Sequence, residues 1–579
     1  MENAAVYTSD VLVIGGGIAG LFAAITAHSD GADVVLVEKN YAGRSGSSIM
    51  GSGQLNVYNP DWGMDFDKCF RKFVRTGEYL NDREWLKVMM LESWSIYECM
   101  RDWGVEFPST EESFRSYMNS VHDWQQSEEG EKDIDSNPGW GMIPLKHREV
   151  PPKLRRHAAK EGVRFVDKTM ITELIRDGDG AVCGAVGFRT EDGEPAVFRA
   201  KAVILAGGKN NFRSAGMNIA ELTGDPNAMA YRAGAELTGF EFPDLHMGLE
   251  RDPVWKGTGE IYPAYWNFID SHGEPIPMMG FDLSMVSVIH AGRGPVMWNF
   301  RDLTEDDRRK IENYIAKRGM PHETKRVELG YYTRTNEKVT GGSAGGGPAE
   351  QTGGIRPVDL SCATTVPGLY TAGDCCCTWS WGAINAGAPP GLLPAGVTGR
   401  HAGGSAAAWA ASHELVSPDV SGLLDAMLVP LRRRGGYDPR WVCQLLQNTM
   451  LPYYVLHIKK ADRLQAALTN VAFFRDHLIP RLKANDAHEL RLCHEVRSMT
   501  ANAEMILRSS LAREESRGWH YREDFPTQDD EHWLAWVTLQ KGDDGMAVGK
   551  REIPPAWLAE DPTENRYDKK WLAWEQEED

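Results

Sequence analysis

The apolar and polar positions near the amino terminus predict a strand, a tight turn, a helix and a second strand. The apolar run VLVI at 11–14 meets the segment GGGIAG, an alanine-rich stretch LFAAITAH follows, and a second apolar run, VVLV, ends at Glu38. Continuous apolar runs of this length are typical of buried parallel strands. The spacing of the glycines and of the terminal acid predicts a βαβ dinucleotide-binding unit over residues 10–39.

Each glycine of this unit has an expected physical role. Gly15 allows the tight turn, Gly17 lets the backbone approach a pyrophosphate, and Gly20 lets the helix pack closely on the strand. The pyrophosphate then lies at the helix N-terminus, where unpaired N–H groups and the helix dipole favour anions. Glu38 is expected to bind an unphosphorylated ribose, which indicates NAD or FAD.

The strand and helix patterns continue farther along the chain. Residues 163–208 alternate strand-like runs with the acidic turns DGDG and EDGE and end in AVILAGG, and a later apolar run, GLYTAGD, ends at Asp374. Residues 420–525 contain helix-forming stretches such as RLQAALTNVAFF and HELRLCHEVRSM. These patterns predict further strands and then a helical region.

Length and charge narrow the possible functions. The 579 residues predict about three to five structural units, at roughly 100–200 residues each. Lys and Arg total 63 against 82 Asp and Glu, which gives a formal charge of -19. This charge disfavours nucleic acid and anionic lipid as partners.

The sequence predicts no metal site and no membrane segment. Nine cysteines stand singly except for Cys375, Cys376 and Cys377, without the paired spacing that binds zinc or an iron–sulfur cluster. No run approaches 18 apolar residues, and the first residues lack the basic and apolar regions of a secretory signal. We expect a cytoplasmic protein with reduced thiols and no metal of its own.

Several motifs, in order, resemble those of one protein family. The opening fingerprint, the ILAGG and GLYTAGD strands, the GLLPAGVTGRHAG helix and the closing segment ESRG, YREDFP and DDEHW are similar to the succinate dehydrogenase/fumarate reductase flavoprotein family. The resemblance implies an α/β fold, in which a doubly wound, Rossmann-like FAD-binding domain carries an inserted α+β capping domain and a C-terminal helical domain. The implied divisions are 1–235 and 346–415 for the FAD-binding domain, 236–345 for the cap, 420–525 for the helical domain and 526–579 for a C-terminal tail region.

The same resemblance implies FAD as the cofactor. Glu38 would hold the adenosine ribose and Asp374 the ribityl chain, and the helix starting near Gly391 would point its N-terminus at the flavin. Gly46 stands where the succinate- and fumarate-converting branch has the histidine that links FAD covalently, so noncovalent FAD is expected. The implied cofactor-binding residues are Gly15, Gly17, Gly20, Glu38, Lys39, Arg44, Ser45, Gly51, Gly207, Asp374 and Leu393.

The implied substrate site lacks the charged groups that bind dicarboxylates in the family. Three such positions fall on the neutral residues Ala349, Leu283 and Asn385, so fumarate and succinate are expected to be poor substrates. His246 matches a substrate-contacting histidine, and Asn56 follows an RSG loop like that of the alpha chain of adenylylsulfate reductase. The expected catalytic residues are His246, Asn385, Asn56, Trp381, Arg293 and His290.

Simpler interpretations of these residues stay open. His246 could be a hydrogen-bonded structural residue, and Asn56 could cap a turn before Asn59. Trp379 and Trp381, with Glu350 and Gln351 opposite, either line an aromatic substrate site or pack at a domain interface. The three adjacent cysteines fit small-residue packing better than a catalytic thiol.

The resemblance implies a flavin oxidoreductase that moves hydride or electrons between a small organic substrate and FAD. Because the chain has no cluster ligands, electrons are expected to pass through a separate ferredoxin-like iron–sulfur subunit, and an oligomer is expected. One alternative is a desaturase or oxidase that uses a diffusible acceptor. Another is a noncatalytic electron-transfer flavoprotein subunit.

Overall fold

The computed structural model describes most of the chain. The described residues are 4–49, 54–107, 141–145, 147–214, 219, 221–245, 248–249, 267–276, 282–318, 337–340, 349–351, 353–383 and 392–558. Three predicted site residues, Gly51, His246 and Asn385, lie outside the described residues. The side chains of Leu283, Ala349, Glu350 and Gln351 are likewise outside what the structure describes.

The described strands are numbered in chain order. They are β1 (Ala5–Ile14), β2 (Val34–Val37), β3 (Gln54–Val57), β4 (Gly141–Pro144), β5 (Arg164–Val166), β6 (Thr169–Arg176), β7 (Val182–Arg189), β8 (Pro195–Leu205), β9 (Leu237–Thr238), β10 (Pro243–Leu245), β11 (Gly248–Leu249), β12 (Phe268–Ile269), β13 (Met297–Trp298), β14 (Glu337–Thr340), β15 (Ala349–Gln351), β16 (Gly354–Ile355), β17 (Leu369–Thr371), β18 (Ile458–Lys459), β19 (Tyr521–Arg522), β20 (Ala535–Gly542) and β21 (Gly545–Glu552).

The described α-helices are numbered in the same way. They are α1 (Ile18–Ser29), α2 (Phe66–Thr76), α3 (Arg83–Asp102), α4 (Val150–Glu161), α5 (Asp225–Ala233), α6 (Asp282–His290), α7 (Glu305–Arg318), α8 (Leu392–Ala411), α9 (Ser421–Arg432), α10 (Pro439–Met450), α11 (Tyr453–Leu456), α12 (Ala461–Phe473), α13 (Ala487–Ala512), α14 (Asp530–Trp533) and α15 (Pro555–Leu558).

A seven-stranded sheet, in the order β5-β2-β1-β8-β7-β6, lies at the centre of the fold, and β17 pairs with β8. β1, β2, β5, β8 and β17 are paired in parallel, whereas β7 pairs antiparallel with β6 and β8. The apolar runs of β1 and β2 are buried, as their composition predicted. The carboxyl ends of β1, β8 and β17 therefore meet at one edge, which is where open α/β sheets bind ligands.

Small residues bring α1 close to α8 behind this edge. A Cβ atom at Gly399 or Gly403 would lie 2.4 Å from the carbonyl oxygens of Ala19 and Ala23 respectively. Only glycine permits this approach without displacing the backbone. The packing holds the amino-terminal ends of both helices near the same edge of the sheet.

Residues 535–552, in the part of the chain predicted to be a C-terminal tail region, form a hairpin. Its strands β20 and β21 pair antiparallel, and β20 joins β9 and β16 in a four-stranded sheet in the order β16-β9-β20-β21. Trp536 of β20 stacks on Trp379 with ring centroids 5.9 Å apart. The carboxyl-terminal segment thus packs directly against the loop that follows β17.

The other described elements include a second four-stranded sheet, three two-stranded pairs and a helical region. This four-stranded sheet has the order β11-β14-β13-β12, with α6 and α7 in the same part of the chain. Helices α9 to α13 occupy residues 421–512, as the helix-forming composition predicted, and a π-helix, Phe474–Leu478, follows α12. Among the helices in the described part of the chain, none is long and apolar enough to cross a membrane.

Candidate functional site

The turn between β1 and α1 has the geometry of a tight nucleotide-binding turn. Gly15 has a φ of +114°, and a Cβ atom there would lie 2.4 Å from the Ala206 carbonyl oxygen. A Cβ atom at Gly20 would lie 1.9 Å from the Gly15 carbonyl oxygen, so helix and strand are in direct contact. At Gly17, the one described group that a Cβ atom would approach is the Ser48 hydroxyl, at 3.1 Å. The backbone at Gly17 is therefore open to a ligand.

Glu38 links the end of β2 to this turn. Its Oε2 accepts a hydrogen bond from the Gly16 N–H at 2.6 Å. Its Oε1 accepts from the Asn40 N–H at 3.0 Å and from the Ser45 hydroxyl at 3.3 Å. Both carboxylate oxygens are thus oriented by neighbouring donors, while the half-buried side chain keeps an accessible surface. Arg44, in the same loop, is exposed.

Two serines that the sequence analysis did not select connect this loop to the rest of the site. The Ser48 Oγ accepts a hydrogen bond from the Ile18 N–H in the first turn of α1, at 3.1 Å. The Ser47 hydroxyl lies 3.2 Å from the Asp374 Oδ2, although the two residues are 327 positions apart. Their only sequence signal was membership of the loop GRSGSS. The loop therefore contacts both separated parts of the predicted FAD-binding domain.

The Lys39 ammonium is held by protein groups. It lies 2.9 Å from the Asp225 Oδ2 and 3.0 Å from the Glu495 Oε1, and it donates to the Glu221 carbonyl oxygen at 2.8 Å. Burial alone would lower the pKa of Lys39, but the carboxylates of Asp225 and Glu495 raise it above its usual range. The side chain of this predicted cofactor residue therefore connects β2 to α5 and α13.

The loop after β8 is exposed at its start and buried immediately afterwards. Gly207 is exposed at the carboxyl end of the strand, whereas Lys209 is only 4 % exposed. The Lys209 ammonium lies 5.1 Å from the centre of the Trp381 ring. The structure therefore places a lysine that the sequence analysis did not select beside a tryptophan that it did.

The two tryptophans after β17 differ in their surroundings. Trp379 is buried, donates from its Nε1–H to the Thr238 hydroxyl at 3.1 Å, and packs edge-on against Phe242. These contacts, with the Trp536 stack, make Trp379 part of the packing between segments. Trp381, by contrast, is half-buried.

Asn56 is a buried polar residue on β3, opposite Met142 of β4. It is 7 % exposed, and its Oδ1 has no hydrogen-bond partner within the residues that the structure describes. A buried amide oxygen without a partner costs about 1–3 kcal/mol, which a ligand that donates a hydrogen bond would recover. The turn at 59–62 is capped by Asn59, whose Oδ1 accepts from the Asp61 N–H.

His290 and Arg293, both expected near the substrate, contact carboxylates of the protein. The His290 Nε2 is 2.7 Å from the Glu523 Oε1, and Glu523 also pairs with Arg463 of the helical region. The Arg293 Nε donates to the Asp270 Oδ2 at 2.6 Å. These contacts connect α6 to the closing segment and stabilise the turn after β12.

The three adjacent cysteines are buried. Burial raises the pKa of the Cys375 thiol to about 12, and it also raises the pKa values of Cys376 and Cys377 above the usual thiol range. Thiols in this state are protonated at neutral pH and are poor nucleophiles. In the described part of the chain we find no group of histidines, cysteines and acids arranged to hold a metal ion.

A buried polar cluster supports the segment that leads to His246. The Glu241 Oε1 accepts from the Arg513 Nε–H at 3.0 Å, and the Glu241 carbonyl accepts from Lys459. Lys459 also lies 3.0 Å from the His520 Nδ1. Burial raises the pKa of Glu241 and lowers those of Lys459 and His520. Within the closing segment, Glu515, Arg517 and Arg522 are buried as well, whereas Glu531 and His532 are exposed.

These residues fit a flavin nucleotide. The open backbone at Gly17, the oriented carboxylate of Glu38 and the accessible Gly207 all lie at the carboxyl ends of β1, β2 and β8. Asp374 and the unpartnered amide oxygen of Asn56 add polar groups farther along the chain. Leu393, in the first turn of α8, is fully buried in the core, so only its backbone can face a ligand.

Two family profiles match the chain. Residues 10–250 match the FAD binding domain, and residues 444–571 match the fumarate reductase flavoprotein C-terminal region. One relative is a component of the fumarate reductase (CoM/CoB) of Methanothermobacter marburgensis, which is 25% identical over 94% of this chain and 99% of its own length.

Two solved structures show the same fold at low sequence identity. A quinol fumarate reductase chain from E. coli has a TM-score of 0.78 at 18% identity and covers 98% of this chain and 99% of its own. The adenylylsulfate reductase of Archaeoglobus fulgidus has a TM-score of 0.76 at 20% identity and covers 95% of this chain and 96% of its own. At these identities the likeness concerns the fold alone.

Proposed function

Because the chain belongs to the succinate dehydrogenase/fumarate reductase flavoprotein family, we propose that this FAD-dependent oxidoreductase moves hydride between a small organic substrate and noncovalently held FAD. Bound FAD supplies a two-electron acceptor that the protein's own side chains lack. The observation that carries the proposal is the turn at the carboxyl ends of β1 and β2, where Gly17 is open and Glu38 is oriented by Gly16.

The protein's own residues orient and shield the cofactor. Glu38 binds the ribose through a carboxylate already oriented by backbone and hydroxyl donors, and the N-terminus of α1 faces the pyrophosphate. Ser47 and Asp374 connect the loop at 43–49 to the segment after β17. Gly46 provides no nucleophile for a covalent bond to the flavin, which supports noncovalent binding.

The proposed substrate is not a dicarboxylate bound in the usual family manner. Where the family's substrate-binding motifs have three charged residues, this chain has Ala349, Leu283 and Asn385. A dicarboxylate left without charged partners would bury its anions at a cost of several kcal/mol each. Fumarate and succinate are therefore proposed to be poor substrates, while His246, Asn385, Asn56 and Trp381 are proposed to contact the substrate.

Electrons are proposed to pass between FAD and a separate ferredoxin-like iron–sulfur subunit. The relatives named as subunits support an assembly of more than one chain. Within the described residues there is no cluster of metal-ligating side chains, so this part of the chain supplies no relay of its own. The cytoplasmic location and the oligomeric state stay predictions.

One experiment tests separately whether the bound flavin is redox-active and whether fumarate oxidises it. The holoprotein is reduced anaerobically, mixed in a stopped-flow instrument with fumarate, and followed through the return of the oxidised flavin absorbance. We expect fumarate to reoxidise the flavin far more slowly than about 10 per second, an ordinary enzymatic rate. Ferricyanide, as the control oxidant, should restore the spectrum fully.

The possible results have different meanings. Rapid reoxidation by fumarate would contradict the proposed substrate range but keep the flavin oxidoreductase. A chain without FAD would contradict the proposed function itself. Iron and acid-labile sulfide that co-elute with FAD in purifications from the natural source would support the iron–sulfur partner, and turnover with oxygen by the chain alone would favour an oxidase.

A further inference from the structure

Two loops that contact each other contain strained residues. The 77–82 loop leads into α3, and the 379–383 loop follows the turn after β17. Glu78 and Tyr79 in the first loop have φ values of 49° and 64°, and Trp379 in the second has a φ of 55°. Residues other than glycine persist in this left-handed region where their surroundings determine the conformation. Contacts from other parts of the fold must therefore hold both loops.

The 77–82 loop fixes the backbone on both sides of Trp381. The Trp379 carbonyl oxygen accepts a hydrogen bond from the Asp82 N–H at 3.0 Å. The Ala383 N–H donates to the Gly77 carbonyl oxygen at 2.9 Å. Trp381 lies between these two contacts, so the direction in which its side chain leaves the backbone depends on the 77–82 loop.

Trp536 of β20 contacts both loops. Its Nε1–H donates to the Leu80 carbonyl oxygen at 2.8 Å, and its ring stacks on that of Trp379 with an angle of 20° between the planes. Leu80, Trp379 and Trp536 belong to one buried apolar cluster. A buried indole combines a large apolar contact with one directed hydrogen bond. A single side chain of the carboxyl-terminal hairpin therefore connects the two strained loops.

A chain of hydrogen bonds makes a second link between the hairpin and Trp379. The Trp379 Nε1–H donates to the Thr238 hydroxyl at 3.1 Å, and this hydroxyl donates to the Val537 carbonyl oxygen at 2.7 Å. Val537 follows Trp536 on β20, and Thr238 is fully buried. Linked hydrogen bonds in buried surroundings strengthen one another. The hairpin thus restrains Trp379 through both its ring face and its N–H group.

The restrained loop places Trp381 at the edge of the sheet where a ligand is expected. β8 and β17 are adjacent parallel strands, with Leu205 paired to Thr371 at their carboxyl ends. Ligands of open α/β sheets bind in the crevice outside such strand ends. The Trp381 ring centre lies 5.1 Å from the ammonium of Lys209, in the loop after β8. The loops that follow the two strands therefore meet at this residue.

We infer that Trp536 is a positioning residue of the flavin site, a role that rests on the proposed function. Through Trp379 and the 77–82 loop, Trp536 holds Trp381 in one place relative to the flavin. A supporting residue of this kind matters because a misplacement of about 1 Å at a reacting centre can lower a rate by about 10²-fold. The carboxyl-terminal hairpin thus acts on the site through the 379–383 loop.

The test measures how strongly an indole quenches the fluorescence of bound FAD. An excited flavin accepts an electron from a nearby indole, and the rate of this transfer falls steeply with the distance between the rings. Mean flavin lifetimes are measured on holoproteins whose FAD content has been determined. Trp381→Phe should lengthen the lifetime, because phenylalanine is a poor electron donor. Trp536→Leu should give at least half of this lengthening, because the released loop lets Trp381 move away.

The double variant tests whether Trp536 acts through Trp381. Adding Trp536→Leu to Trp381→Phe should lengthen the lifetime no further, because the responsive quencher is already absent. Trp536→Phe keeps an aromatic ring on Trp379 but loses the N–H donor to Leu80. Its lifetime should lie between those of wild type and Trp536→Leu.

Trp533→Leu is the matched control, because it removes an indole from the same closing segment. The Trp533 ring centre lies 5.4 Å from the guanidinium of Arg513. This variant should have the lifetime of wild type. If Trp536→Leu fails to retain FAD, Trp536→Phe carries the test and should still have a longer lifetime than wild type.

Three results obtained with full FAD content would overturn the inference alone. The first is a wild-type lifetime in Trp381→Phe, and the second is a wild-type lifetime in each Trp536 variant that retains FAD. The third is additive lengthening in the double variant, which would show that Trp536 does not act through Trp381. A wild type that binds no reducible FAD would contradict both the inference and the proposed function.

Discussion

Glu38 accepts a hydrogen bond from the Gly16 N–H at 2.6 Å, across 22 residues of sequence. The contact joins the acid at the end of β2 to the glycine-rich turn after β1. Because the second carboxylate oxygen accepts from Asn40 and Ser45, the orientation of the carboxylate is set without a ligand. A preoriented acceptor loses less freedom when a ribose binds.

Replacing Glu38 by Gln should therefore weaken FAD binding. The amide keeps the size of the side chain but removes the charge-assisted hydrogen bonds, which contribute about 1.5–3 kcal/mol each. We expect at least about a 10-fold rise in the Kd for FAD, measured by fluorescence quenching during reconstitution of the apoprotein. Glu191→Gln, in an exposed turn, is the control. Equal affinities for both variants would contradict the role of Glu38.

Denaturation of the chain should release the FAD in intact form. Gly46, with a φ of +78°, has no side chain that could bond to the flavin. After precipitation with acid, the supernatant should be yellow. Chromatography of the supernatant should identify intact FAD. Flavin retained in the washed precipitate would show a covalent bond from another residue.

Asn56 should matter for turnover more than for FAD content. Its buried Oδ1 has no partner among the described residues, so Asn56→Leu, of similar size, should fold and retain FAD. If the amide contacts the reacting groups, turnover should fall by about 10-fold to 1000-fold. Asn59→Ala removes the neighbouring turn cap and serves as the control. Full activity in Asn56→Leu would support a structural role for this residue.

The ion pair between Lys39 and Glu495 should stabilise the contact between the sheet and the helical region. Glu495 is 1% exposed, and Glu495→Gln leaves the Lys39 ammonium with one carboxylate instead of two and also removes the partner of Arg213. Breaking a buried pair costs about 3 kcal/mol. The cost should lower the thermal midpoint of the holoprotein.

The matched control for this prediction is Asp425→Asn, which removes a pair with Arg432 whose side chains are 53% and 46% exposed. Such pairs contribute less than about 1 kcal/mol. A midpoint for Glu495→Gln that equals that of Asp425→Asn would show that the ion pairs of Glu495 with Lys39 and Arg213 contribute little net stability.

His494 should make the protein less stable in acid. Burial lowers the pKa of this histidine from 6.5 to about 4, and its Nε2 lies 3.0 Å from the Met427 carbonyl oxygen. The pKa of His494 is lower in the folded protein than in the unfolded chain. The stability that the neutral histidine contributes is therefore present above pH 6.5 and is lost as the pH falls towards 4. A shift of this size corresponds to about 3 kcal/mol.

The measurement compares thermal midpoints of wild type and His494→Gln at about pH 7 and about pH 4.5, on either side of the unfolded pKa. Glutamine can donate a similar hydrogen bond but does not titrate in this range. We expect the variant to lose less of its midpoint on acidification than wild type does. A parallel loss in both proteins would assign the acid sensitivity to other groups.

Local patterns predicted the elements that depend on near neighbours. The turn at Gly15, the contact of Gly20 with Gly15 and the burial of β1 and β2 follow from residues within about 30 positions, so composition and spacing were sufficient. The hairpin of β20 and β21 was missed. The exposed outer strand of the hairpin has little apolar periodicity. The position of the hairpin depends on its pairing with β9, where the Val537 carbonyl oxygen accepts a hydrogen bond from Thr238, 299 residues earlier in the chain.

The sequence by itself determined the nucleotide-binding unit, the helical region and the family resemblance, because each rests on spacing along the chain. Only the tertiary structure decided which side chains share a site. Ser47 reaches Asp374, Lys209 meets Trp381, and Lys39 pairs with Glu495. Each contact depends on the register and packing of elements that are far apart in the sequence. Local sequence preferences do not determine which of these distant elements meet.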